Sequence, residues 1–123
     1  MEDQESRRAR ALASLAELGD EPGGDDFLAR MGVLGDWIVD FAFGDVHTRE
    51  GLTARERELI IVAILASLGS SDPQVAAHIR ALRAANVPWN EIEETILQIT
   101  PYAGIPRAVN AMKVLRAEQE AGE

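Results

Sequence analysis

Two imidazoles, His47 and His78, are the only side chains in the 123 residues whose ordinary protonation change falls near neutral pH. With no cysteine in the sequence, these residues offer no thiolate for nucleophilic, redox or metal-binding work. Proton transfer is therefore the chemistry to look for. His78 lies three residues after Val75 and four before Leu82, which puts it at the edge of an inward helical face. On that evidence alone, a half-buried histidine held by a backbone carbonyl is the more ordinary reading. His47 falls in an aperiodic stretch and is either plain surface or part of a site. Arg49 and Arg57 are candidate anion clamps, because a guanidinium grips a carboxylate through two parallel bonds. Glu58 follows Arg57 at the polar end of an apolar run; desolvated there, it could share a proton with His78. Its alternative is a plain surface charge or an ion pair with Arg55 or Arg57. Tyr102 could donate to a carbonyl oxygen or merely pack beside its proline. No Gly-rich phosphate loop, His-x-x-x-His pair or Gly-x-Ser-x-Gly is present.

The element that must position these groups runs from Thr53 to Gly69. Thr53 and Glu56 form a Ser/Thr-x-x-Glu capping box, and Gly69 suits a left-handed helix end. Between them, Leu59 to Ala66 is an unbroken apolar run. A helix carrying it is hydrophobic around its whole girth and is expected to be buried on all sides. It is too short to cross a bilayer, which takes about 20 apolar residues. The charged first turn, Arg55-Glu56-Arg57-Glu58, then brings a buried helix to a polar pocket.

Other helices are expected around it. Residues 1–19 carry a narrow stripe of Leu12, Leu15 and Leu18 with Ala11 and Ala16, and Arg7, Arg8 and Arg10 read as a solvated first turn. Glu21 to Asp25 is a loop. Asp25 or Asp26 caps a helix over about 26–43, with Phe27, Leu28, Met31, Leu34, Trp37, Ile38, Phe41 and Ala42 inward, and Trp37 lining core or pocket. Gly32 and Gly35 weaken that helix by about 1 kcal/mol each if exposed, or allow close helix contact. Phe43-Gly44 ends it, and a loop runs to Gly51. After Gly69, Ser71 or Asp72 caps a helix with Pro73 in its first turn and Val75, Ile79 and Leu82 inward. Asn86 is a left-handed cap. Pro88 and Glu91, Glu93 and Glu94 open the next helix, which buries Ile92, Ile96, Leu97 and Ile99 and is kinked or ended by Pro101. Trp89 is a candidate subunit contact. Pro106 starts a last helix facing Ala108, Val109, Met112 and Leu115 inward, and Glu118 to Glu123 is a frayed tail. No segment alternates like a strand. The expected fold is all-α: one domain over 1–123, five or six helices around a buried central one, with 1–24 an N-terminal helix and loop, 26–116 the core and 117–123 a tail.

The balance of charge narrows the partners. Net charge is −9 with 27% charged residues, opposite in sign to what phosphate backbones or anionic membrane surfaces attract. Neither nucleic acid nor membrane is expected as a partner. The acidic start, Met1 to Glu5, has no apolar run behind it and does not read as a signal peptide, so a cytoplasmic location is expected.

Several residues together carry a family resemblance. Phe43-Gly44-x-Val46, Gly51-Leu52-Thr53 and Arg57, then His78, then Glu91-Ile92, Leu97-Gln98 and Tyr102-x-Gly104-x-Pro106 follow in an order that resembles the carboxymuconolactone decarboxylase family. The likeness runs from about Trp37 to Leu115, and the final Leu-Gln-x-x-x-Tyr-x-Gly-x-Pro pattern is its more specific part. It implies an all-α, alkyl-hydroperoxidase D-like fold and a homo-oligomer, trimer or hexamer. The implied activity is cofactor-independent removal of CO2 from a carboxylated lactone, an anionic small molecule. It also implies a functional role for His78, which outweighs the ordinary reading above. The peroxidase branch of the superfamily uses Cys-x-x-Cys before the histidine; here Ser71-Asp72-Pro73-Gln74 stands there. His47 replaces a common Trp, Glu50 a common Pro, and Gln74 a frequent Glu one turn before His78. These departures surround the implied pocket, where His47, Gln74, Arg49, Arg57, Tyr102 and Trp37 are candidates for substrate binding.

Such a decarboxylation needs a held, desolvated carboxylate, donors for the dienolate and an acid that protonates carbon. His78 with Glu58 is the candidate acid. Two rivals stand beside this reading: a cyclase or isomerase of secondary metabolism on the same scaffold, and an oligomeric small-molecule-binding protein without catalysis.

Overall fold

In the computed structural model, which describes residues 2–17 and 24–122, the architecture is all-α, with no strand among the described residues. The chain divides into two compact units, Met1–Ala54 and Arg55–Glu123.

The first unit holds α1 (Gln4–Glu17), α2 (Gly24–Arg30), α3 (Val33–Trp37) and a π-helical segment, Ile38–Val46. Asp3 starts α1, its Oδ1 accepting the Ser6 N–H at 2.7 Å. That bond, from the backbone of Ser6, holds the Asp3 carboxyl below its usual range. α1 packs on the π-helical segment. It does so through Ala11 and Ser14, both buried, while Leu12 is exposed. Of the expected stripe, Ala11 is buried and Leu15 partly so, but Leu12 and Ala16 are exposed. A Cβ at Gly44 would lie 3.1 Å from the Ala11 Cβ and 3.3 Å from the Val39 carbonyl. Leu18 and Glu21 to Gly23 lie outside the described residues.

The helix expected over 26–43 begins at Gly24, ahead of both expected caps, and is broken at Gly32, whose φ is +61°. Gly35 lets α2 and α3 meet, since a Cβ there would sit 2.1 Å from the Leu28 carbonyl. Nor does Phe43-Gly44 end the helical run. It continues to Val46, and the His47 N–H donates to the Ala42 carbonyl five residues back at 2.9 Å. The face expected inward is exposed at Phe27, Met31, Leu34, Trp37 and Phe41.

The arginines of α1 are not a solvated turn. Arg7 binds Asp45 through Nε and Nη2 at 2.9 and 2.6 Å. Arg8 reaches Asp36 at 3.1 Å and the buried Asp40 at 3.0 Å. Arg10 Nε donates to the Gly44 carbonyl at 2.9 Å and to the Thr48 hydroxyl at 3.0 Å. The hydrogen bond from Arg7 holds the Asp45 carboxyl below the usual carboxylate range and pushes the guanidinium's own pKa up.

The second unit is built from α4 (Ala54–Leu68), α5 (Asp72–Ala84), α6 (Trp89–Ala103) and α7 (Ile105–Ala121). Its core joins Val62 and Ala66 of α4 to Val75, Ile79 and Leu82 of α5, Val87, Ile92, Ile96 and Ile99, and Ala111 and Leu115 of α7. Leu97 and Val109, expected inside, are 47% and 44% exposed. Gly69 ends α4 with φ +77°, as expected. Asn86, φ +63°, closes α5 in a Schellman turn: its N–H donates to the Arg83 carbonyl at 2.9 Å, and the Val87 N–H to that of Leu82 at 3.0 Å. α6 runs through Pro101 to Ala103, so the proline neither ends it nor marks a turn; Gly104, φ +97°, makes the turn. α7 continues to Ala121, and Glu118 pairs with Arg80, so the expected frayed tail is helix up to that point. Trp89 packs against the core with Arg83 4.5 Å above its ring.

The expectation for α4 needs correction. Val62 and Ala66 are buried, but Ile60, Ile64 and Leu68 are 44, 51 and 67% exposed. The apolar girth is real; within its own unit only one side of it is covered. With Ala63 and Ser67, these residues line a shallow groove of about 370 Å3.

Candidate active site

The geometry of interest lies where α4 meets α5. Glu58 sits one turn into α4, four residues before Val62, so the turn that buries Val62 buries the carboxylate as well. Its side chain is 1% exposed. His78 stands on α5 between Val75 and Leu82 and keeps 22% of its side chain exposed. Its Nδ1 lies 2.6 Å from Glu58 Oε2. A carboxylate can only accept, so against a carboxylate at Glu58 the Nδ1 tautomer that carries a hydrogen is the one that satisfies this contact. The contact is short, as expected when a donor or acceptor is charged. Nε2 lies on the far side of the ring from that contact. A buried carboxylate orienting an imidazole through Nδ1 is the arrangement that lets a histidine take up and release a proton in a fixed orientation.

The other sequence candidates are distributed differently. Arg57, half-buried, precedes Glu58 at the end of the first turn of α4. Gln74 is exposed one turn before His78 on α5. Tyr102 is 87% exposed near the end of α6. His47, Arg49 and Trp37 belong to the first unit. There His47 is buried, not a surface loop residue, with its ring 5.5 Å from that of Phe43. Arg49 is exposed, and Trp37, expected to line core or pocket, is 64% exposed. A second groove, about 400 Å3, runs along α7 from Val109 to Glu120 and does not include His78. Among the described residues no three His, Asp or Glu side chains converge as metal ligands.

One ion pair beside the site escaped the sequence reading. Arg55, in the first turn of α4, pairs with Glu91 in the first turn of α6. The charge pattern alone offered Arg55 a nearer partner, Glu58, and offered Glu91 the helix dipole.

The all-α architecture fits the class that a family match defines. The carboxymuconolactone decarboxylase family model matches residues 33–117, and the chain belongs to that family. It is similar to the 4-carboxymuconolactone decarboxylase of Acinetobacter baylyi, 38% identical over 76 residues, which are 62% of this chain and 56% of the relative. An uncharacterized 15.0 kDa protein of Paracoccus denitrificans, from the nqo9-nqo10 intergenic region, is 30% identical over 81 residues, or 65% and 60% of the two chains. The chain therefore spans a little over half the length of each of these relatives. Both Glu58 and His78 fall inside the family match; α1 and α2 lie outside it.

Proposed function

We propose that the chain is a lyase of the carboxymuconolactone decarboxylase type, removing CO2 from a carboxylated lactone or a related enolisable acid without a cofactor. The observation that carries this reading is the 2.6 Å contact between His78 and the buried Glu58. The bond from carbon to the carboxylate breaks, CO2 departs, and its electron pair spreads onto the lactone carbonyl as a dienolate. His78, protonated on both nitrogens, then gives its Nε2 proton to carbon, and solvent restores it. Glu58 balances the imidazolium and fixes the ring's orientation. Arg57 is the proposed clamp for a substrate carboxylate. A clamp that acts equally on substrate and transition state contributes to KM more than to kcat. With no thiol in its sequence, this chain has no part for a thiol-peroxidase mechanism.

The same proposal includes assembly with further copies. Its support is the exposed side of α4: Ile60, Ala63, Ile64, Ser67 and Leu68 carry no charge in a chain of net charge −9, so a second copy can meet that stripe without opposing like charges.

The test is turnover of γ-carboxymuconolactone, followed by CO2 release, in the chain and in His78→Asn. Activity that disappears in a folded variant supports the reading. Binding of the lactone without product, or turnover unchanged by the substitution, defeats it.

A further inference from the structure

α5, α6 and α7 pack directly on one another, helix against helix. α4 joins their core through two small apolar side chains, Val62 and Ala66, with Leu59, Ala63 and Leu65 partly buried beside them. These contacts are apolar and non-directional, so none of them fixes the rotation of α4 about its own axis through a directed bond. Side chains sit about 5–6 Å from a helix axis. A turn of about 10° therefore moves the Glu58 carboxylate by about 1 Å, enough to break a contact with His78 Nδ1 or spoil its direction. Polar ties at the charged end of α4 resist that motion. Glu58 reaches α5 through His78, and one turn earlier Arg55 reaches α6 through Glu91. The two ties leave α4 toward two different helices.

We propose that the Arg55–Glu91 ion pair is a positioning device, which fixes the rotation of α4 and thereby the contact between Glu58 and His78. Neither residue touches the reacting atoms. The catalytic consequence rests on the lyase reading; the geometric claim does not. The pair is 44% and 41% exposed, so salt weakens it without unfolding the core.

The experiment compares the unaltered chain with Arg55→Glu, Glu91→Arg and the double exchange. It follows the His78 ring N–H by proton NMR and, separately, kcat and KM. In the unaltered chain a downfield, slowly exchanging imidazole proton marks the bond to Glu58. Arg55→Glu, which sets two carboxylates against each other, is expected to lose that signal and to lower kcat about tenfold, with KM changed less than about twofold. The double exchange is expected to restore both. Should Arg55→Glu fail to fold, Arg55→Gln is measured instead, with the unaltered chain in about 1 M salt, where screening is nearly complete; the signal weakens in both. A signal and kcat unmoved by Arg55→Glu, or by Arg55→Gln and salt, overturn the proposal. So does a folded double exchange that restores neither. An unaltered chain that shows the imidazole signal yet turns over no lactone defeats the lyase reading, and the signal alone then decides the positioning claim.

Discussion

A buried carboxylate with one imidazole against it is costly to disturb from either side. Removing one partner of a buried hydrogen bond costs the other part of its satisfaction. Glu58→Gln keeps the shape but not the charge, and is expected to cost about 1–3 kcal/mol in urea unfolding. His78→Asn should leave a folded protein whose kcat falls by about 10²–10⁴ if the ring delivers the proton. Arg57→Ala is expected to raise KM by more than it lowers kcat; the reverse would remove Arg57 as a ground-state clamp. In the first unit, Asp45 has its carboxyl held below the ordinary range by the hydrogen bond from Arg7. A depressed folded-state value means stability that is fully present above the unfolded carboxylate value, about 3.9, and is lost as pH falls through the folded one. Asp45→Asn should therefore lower the melting temperature at pH 7, and the gap to the unaltered chain should shrink under acid conditions. Glu58 beside His78 was one of the options the sequence offered, because Glu58 stands at the polar end of an apolar run and His78 at the edge of an inward face. The arginine clasp was not, since Arg7 and Asp45 are 38 positions apart and no local pattern links them.

Among the elements, α5 was readable because its faces differ: Val75, Ile79 and Leu82 stand apart from polar neighbours. α4 resisted for the opposite reason. Eight consecutive apolar residues give no contrast, so composition could say that the helix is greasy but not which side the core would choose. α1 misled through size. The pattern put Leu12 beside Ala11 on the inward face, whereas the observed packing buries Ala11 and Ser14 and leaves Leu12 exposed, because Gly44 brings the backbones close. Gly44→Val is thus expected to destabilise the first unit by about 1–3 kcal/mol through overpacking, seen as faster proteolysis of α1. The break at Gly32 was foreshadowed only as a weakness; its left-handed backbone turns the weakness into an interruption.

For the molecule as a whole, the outer side of α4 decides the assembly proposal. Sedimentation should show a species larger than the monomer, and Ile60→Ser with Ile64→Ser should shift it toward monomer while leaving helix content intact. A stable monomer before substitution would defeat the assembly. The two tryptophans add an unplanned optical property. Trp37, open to water in one unit, and Trp89, half-covered beneath a guanidinium in the other, must emit at different wavelengths. Denaturing the second unit should redden only the bluer component, while anything settling over Trp37 should blue-shift the redder one. The chain's own fluorescence thus distinguishes melting from docking, with no dye attached.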